Sequence, residues 1–176
     1  MKFLESDLEE IIYTTSSEEL RKRGLQVYGK RFRQLRIGNY GIADLVTFER
    51  LCIEVIDKKG KSLATQCPCV ITVYELKKDK IGISAFLQAV GYARGIHSYL
   101  KERRVNFEFK INIVLIGSKI DERSNYVYLS DLLSQNGDNG LTLKNYTYEY
   151  NFDGIKFKVK KDYKLIHEGF NLDCPF

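Results

Sequence analysis

The chain has 176 residues, enough for one domain with a sizeable core, and its apolar and charged shares, 44% and 29%, are those of an ordinary globular protein. No apolar run approaches the ~18 residues of a membrane span, and MKFLESDLEE lacks the basic-then-apolar pattern of a secretory leader. Four cysteines (Cys52, Cys67, Cys69 and Cys174) are too few for a disulfide framework, so a cytoplasmic location without membrane attachment is expected.

From the N-terminus, Ser6 with Glu9 three residues on reads as a capping box, and Leu8, Ile11 and Ile12 fall on one helical face. Ser16 or Ser17 starts a second short helix, SEELRKR, which Gly24 ends. A local charge signal follows. Between Glu19 and Asp44 the chain carries Arg21, Lys22, Arg23, Lys30, Arg31, Arg33 and Arg36 and no acid, interleaved with Tyr28 and Phe32. The net charge of +5 is modest, so this is a patch on a mixed surface. Basic residues beside aromatics suit phosphate contact and base stacking, which makes Arg21, Lys30, Arg31, Arg33 and Arg36 candidates for binding nucleic acid. In particular Arg31, Arg33 and Arg36 would share one face if they alternate along a strand. The competing reading is a solvated helix end and an edge strand guarded by charge.

Strands are expected at about 31–37, 41–49, 51–56 and 67–77, with an extra hairpin or extended strand pair turning at Asp57-Lys58-Lys59-Gly60. Residues 84–103 read as a helix with Ala85, Ala89, Tyr92, Ile96 and Tyr99 on one face. FKINIVLIG (109–117) is the next buried strand, reached by a crossover that makes a parallel pair. Beyond it, SQNGDNG (134–140) is loop by composition, and TYEYNFDGIKFKVKKDY alternates and turns at Asp153-Gly154 as a hairpin. With no repeat or low-complexity linker, residues 1–176 read as one domain, with a core at about 4–117 and an extension at about 118–176.

The chemistry sits in the middle of this order. ITVYELKK (71–78) is an apolar, β-branched run, and residues two apart on a strand share a face. Glu75 and Lys77 therefore project together from a buried strand, where charged groups are costly unless they serve a site. Asp44 ends a Gly41-Ile42-Ala43 lead into an earlier strand. Gln88 and Tyr92 lie one helical turn apart on the following helix. Two carboxylates hold a hard cation through oxygen, and a nearby ammonium helps place water or offset developing charge.

In these residues the chain resembles the PD-(D/E)XK nuclease superfamily, especially its RecB-like branch. The pattern there is Gly-x-x-Asp, then (Asp/Glu)-x-Lys, then a helix with Gln-x-x-x-Tyr, here Gly41–Asp44, Glu75-Leu76-Lys77 and Gln88–Tyr92. From LEEII to GYARGI it is also similar to the nuclease domain of NucS-type endonucleases. Ala43 stands where the superfamily's name has proline, and the interval from Asp44 to Glu75 is longer than the pattern's.

The resemblance implies an α/β fold with a restriction-endonuclease-like core, a mixed central sheet flanked by helices, here with a C-terminal hairpin extension. It implies Mg²⁺ or Mn²⁺ held by Asp44, Glu75 and the Leu76 carbonyl, with Lys77 supporting the attacking water and Gln88 and Tyr92 shaping the phosphate site. It implies an acid from the N-terminal helix too. Glu5, Glu9 and Glu10 compete for that place, and Glu9, on the flank of the apolar face, is favoured over its alternative use in the cap. The expected partner is DNA, cut endonucleolytically, with a homodimer possible because cutting both strands needs two sites. The other readings are a non-cleaving nucleic-acid-binding or assembly module on the same fold and an RNA-directed nuclease. Cys67-Pro68-Cys69 fits no metal-ligand spacing and reads as strand packing. His97 and His167 have no neighbouring nucleophile, and Gly38–Gly41 lacks the lysine and helix of a phosphate loop.

Overall fold

A computed structural model describes residues 4–56, 58–60, 62–105, 107–122, 125–127, 129–130 and 141–160. The expected loop at 134–140, His167, Cys174 and Asp57 of the expected turn lie outside the described residues.

The order is α1 (Glu5–Thr14), α2 (Ser17–Lys22), β1 (Lys30–Arg36), β2 (Ile42–Arg50), β3 (Ile53–Ile56), β4 (Ser62–Gln66), β5 (Cys69–Leu76), β6 (Lys80–Ile81), α3 (Ile83–Glu102), β7 (Phe109–Gly117), β8 (Lys119–Ile120), β9 (Leu141–Asn151) and β10 (Gly154–Val159). Six strands form one mixed sheet in the order β1-β2-β5-β7-β9-β10. Its centre is the apolar run of β5, antiparallel to β2 on one side and parallel to β7 on the other. Helices cover both faces of these central strands, α3 on one side and α1 with α2 on the other, which is why β5 and β7 read as near-continuous hydrophobic runs rather than alternating ones. The crossover between them is α3.

Each face carries its own core. On one, Ile71 and Val73 of β5 and Ile111, Ile113 and Leu115 of β7 pack against Ala89, Tyr92 and Ile96 of α3. On the other, Tyr74, Leu76, Val114 and Ile116 meet Leu8 and Ile12 of α1 and Leu20 of α2. Among the described residues no helix is long and apolar enough to cross a membrane.

Several boundaries differ from expectation for local reasons. Leu4, not Ser6, precedes α1, and Asp7 rather than Glu9 closes the box, its carboxylate accepting the Leu4 N–H at 2.7 Å. That leaves Glu9 for another use. Ser16 caps α2, its hydroxyl accepting the Glu19 N–H at 3.2 Å. Tyr99 is 56% exposed, and Leu100 points into the core in its place. Over five turns the 3.6-residue period carries the buried stripe one position along. Instead of packing, Tyr99 offers its ring to Arg103 at 5.4 Å.

Beyond β8, the described strands belong to the central sheet. β9 pairs in parallel with β7, β10 antiparallel with β9, and Tyr146, Tyr148, Ile155 and Phe157 join the core of α1 and α2. At Gly24, φ is +94° and a Cβ would sit 2.1 Å from the Phe157 carbonyl oxygen. The glycine thus lets β10 approach closely enough for the Phe157 N–H to reach the Arg23 carbonyl at 2.7 Å.

The long interval between β2 and β5 is a single extended hairpin. Arg50 pairs with Cys69 at the end of β2–β5, and Ile53 pairs with Gln66 at the start of β3–β4, in the same register. β3 and β4 therefore continue β2 and β5 outward as an arm, with one irregularity between Val55 and Ile56.

Candidate active site

The site lies where β2 and β5 part. Their ladder stops at Leu45–Tyr74, whereas β5 and β7 stay paired to Leu76–Ile116. Past that fork the Leu76 N–H, which the β2 ladder no longer reaches, donates to the Asp44 carboxylate at 2.8 Å. Across from Asp44, Gln34 of β1 takes φ +49°, a left-handed conformation rare outside glycine, so β1 is also distorted at this point.

Glu75 follows Ile71 and Val73 on the α3 face of β5 and is 0% exposed. One of its oxygens accepts from Lys77 Nζ at 2.6 Å, and the other, Oε2, is buried with no hydrogen-bond partner. A buried acceptor left unmatched costs on the order of 1–3 kcal/mol. Burial first, and then the charge of Asp44, push the Glu75 carboxyl up to about 7 against the pull of Lys77. Asp44 is raised as well, chiefly by burial and further by Glu5 and Glu9, while the Leu76 N–H and Lys77 act the other way. For Lys77, burial favours the neutral amine, but Glu75, Glu5 and Asp44 together outweigh it and hold the ammonium above its ordinary value. Three acids, Asp44, Glu75 and Glu5, thus share one ammonium within a partly buried cleft, and Glu9 adds its charge at Asp44.

Glu5 and Glu9 come from α1. Glu5 accepts the Lys78 N–H at 3.0 Å and lies 3.7 Å from Lys77 Nζ. Glu9 is buried and bonded to Arg33 and to Gln34, the latter at 2.7 Å. Glu10 is exposed and also meets Arg33. The fork therefore receives Glu5 and Glu9 together. Angle about the helix axis, the one guide the sequence offers within α1, does not single out Glu5. Its position in the first turn, next to the end of β5, is a tertiary fact.

From α3, Gln88 Nε2 donates to the Tyr92 hydroxyl at 2.7 Å. Burial raises the Tyr92 phenol, and Glu75 and Asp44 add to this, so the ring stands within the field of the acid pair. Gly41 lets it in, because a Cβ there would lie 3.0 Å from the Tyr92 ring. All six sequence candidates at the centre, Glu9, Asp44, Glu75, Lys77, Gln88 and Tyr92, converge on this region through contact or charge.

The basic run divides. The Arg31 guanidinium donates to the carbonyls of Ile12, Tyr13 and Thr15 and to the Ser17 hydroxyl, joining α1 to α2. Arg33 is taken up by Glu9 and Glu10. Arg31 and Arg33 therefore fasten α1 to β1 instead of forming an open row with Arg36. Arg21, Lys30 and Arg36 remain exposed, with Lys30 5.1 Å from the Phe32 ring. Arg36 lines a groove of about 690 Å³ between β1 and α3, with Tyr40 and Tyr99. His97 packs edge-on to Phe109.

Among the described residues, no three His, Cys, Asp or Glu side chains gather as a metal cluster. Protein ligands at the fork would be the two carboxylates with a backbone carbonyl. No family model, curated protein or solved structure matches this chain.

Proposed function

We propose that the chain is a metal-dependent nuclease that hydrolyses DNA phosphodiester bonds endonucleolytically, on a restriction-endonuclease-like core with a C-terminal hairpin. The observation that carries the reading is Glu75. It is a fully buried carboxylate with one oxygen unmatched, beside Asp44 and Lys77 at the open end of a strand pair.

The residues fit a hard divalent cation, Mg²⁺ or Mn²⁺. Asp44 and Glu75 are both raised, each chiefly by burial and Glu75 further by the charge of Asp44, so a bound cation would relieve both, and Glu75 Oε2 has no hydrogen-bond partner. Asp44, Glu75 and the Leu76 carbonyl would hold the cation, which supplies Lewis-acid polarisation of a phosphate oxygen. Lys77 places its ammonium where negative charge builds on the phosphate and the attacking oxygen. Gln88 and Tyr92 orient the phosphate, and Glu9, fixed by Arg33 and Gln34, adds an acid at the rim. Arg21, Lys30 and Arg36 track the backbone of the duplex, and two copies acting together would cut both strands.

One observation favours the non-cleaving alternative. Lys77 already pairs with Glu75, so the cluster is partly compensated without a cation. Incubation with linear, circular, branched and single-stranded DNA, and with RNA, in Mg²⁺, Mn²⁺ or chelator separates the readings. Divalent-dependent cleavage of DNA is the expected result. Binding without cleavage under every condition would establish the alternative, and cleavage confined to RNA would reassign the substrate.

A further inference from the structure

The neck of the β3–β4 arm holds a cysteine pair. In the register that runs from Arg50–Cys69 to Ile53–Gln66, Cys52 stands opposite Cys67. The Leu51 N–H donates to the Pro68 carbonyl at 3.0 Å, so Leu51–Pro68 is a hydrogen-bonded position. By the alternation of an antiparallel ladder, Cys52–Cys67 is then a non-hydrogen-bonded one, where Cα atoms lie about 4.5 Å apart. That spacing falls within the ~4.4–6.8 Å that a disulfide bridges. The two thiols are in hydrogen-bond contact, both are reduced, Cys52 is exposed and Cys67 half-buried. Proline has no N–H, so the ladder at this neck is also one bond short. Cys69, two residues from Cys67, faces Arg50 rather than a thiol.

We propose that Cys52 and Cys67 form a reversible intramolecular disulfide that pins the base of the arm when the protein meets a small disulfide such as oxidised glutathione. The exposed Cys52 loses its proton to solvent, and its sulfur attacks the glutathione disulfide. That S–S bond breaks, and one glutathione leaves with the electron pair and takes up a proton. Cys67 then releases its proton and attacks the Cys52 sulfur, expelling the second glutathione thiol in the same way. Two protein thiols are oxidised as one glutathione disulfide is reduced. Cys52 is the more exposed of the two, so its sulfur is the one that meets the glutathione disulfide first. The pair owes nothing to the nuclease reading, and its test does not involve cleavage.

The full chain is equilibrated in glutathione buffers of graded redox ratio, quenched, alkylated and digested with trypsin. Cleavage at Arg50, Lys58 and Lys77 places Cys52 in one peptide and Cys67 with Cys69 in another. The expected result is that these two peptides migrate linked until reduced, and that half of the four cysteines lose reactivity toward maleimide. Cys69→Ser keeps the link, whereas Cys52→Ser and Cys67→Ser abolish it, all three with unchanged circular dichroism. A link that survives Cys67→Ser, or no link at the most oxidising ratio, overturns the proposal.

Discussion

Replacing Glu75 by Gln should make the protein's stability less dependent on pH, by an amount the site itself sets. Folded Glu75 keeps its proton up to about pH 7, whereas the unfolded chain releases it near 4.5. Between those values the native state binds more protons than the unfolded one, so wild-type stability falls as pH rises. Below that window the carboxyl is neutral in both states and the penalty is absent. Above it the penalty is complete. At about 1.4 kcal/mol per pH unit, the interval from 4.5 to about 7 amounts to roughly 3 kcal/mol. Glutamine never ionises, so the variant lacks this penalty, the repulsion from Asp44 included. The pull of Lys77 on the ionised carboxylate is already contained in the value of about 7, so the lost ion pair adds no separate pH-dependent contribution. The prediction is therefore a difference of differences. Relative to wild type, Glu75→Gln gains about 3 kcal/mol between about pH 4.5 and about pH 8, or roughly 6–12 °C in Tm for a domain of this size. Urea or thermal melts of both proteins at several pH values measure it, and titrations shared by the two cancel. A gap that does not change with pH would refute the burial and acid-pair argument at its root.

Asp44→Asn, Glu75→Gln and Lys77→Ala should each nearly abolish divalent-dependent cleavage while the fold survives, and robust turnover by the Asp44→Asn/Glu75→Gln double variant would remove the assignment. Mg²⁺ or Mn²⁺ should raise the wild-type Tm in proportion to occupancy and leave Glu75→Gln almost unmoved, so equal shifts in thermal melts would put the cation elsewhere. Lys30→Gln and Arg36→Gln should each flatten the salt dependence of duplex binding, by roughly 0.9 in the slope of log K for every phosphate no longer neutralised. Arg31→Gln should instead destabilise by about 2 kcal/mol, since it strands the carbonyls that end α1. Gly24→Ala should cost at least about 1 kcal/mol in urea melts, because its φ of +94° and the Phe157 carbonyl leave no place for a Cβ.

The parts of this molecule legible in the sequence are those governed by neighbours along the chain. β5, β7 and α3 are long, strongly patterned runs, and their expected limits fall within a few residues of the observed ones. Glu75 and Lys77 could be placed on one face because a strand's period of two is rigid. The interval between Asp44 and Glu75, too long for a simple turn, required an extra strand pair, and β3 and β4 supply it. The failures are tertiary. Nothing local shows that Arg31 will reach back to the end of α1, or that Arg33 will clasp Glu9 and Glu10. The same charges would read identically on an open edge. Glu5 escapes a reading by angle about the helix axis, because that angle says nothing of what the helix end meets. The placing of β9 beside β7 is a long-range pairing, and such pairings carry no signature in either strand.

The in-register arm has a consequence for length variation in this chain. Asp44 and Glu75 sit on opposite rails of one ladder, at its open end, and the turn at Lys58–Gly60 closes the far end. Their juxtaposition depends on which residues face each other at the fork, not on how much chain is looped between them. Adding or removing residues in matched pairs at the tip would lengthen or shorten the arm and leave the two carboxylates facing as before. An odd change confined to one rail would need a compensating bulge, like the irregularity at Val55–Ile56, or it would turn one carboxylate to the opposite face of the sheet. The distance in sequence between these two acids is thus free to drift by evenly divided steps, and a search that fixes that spacing would overlook chains built on the same plan.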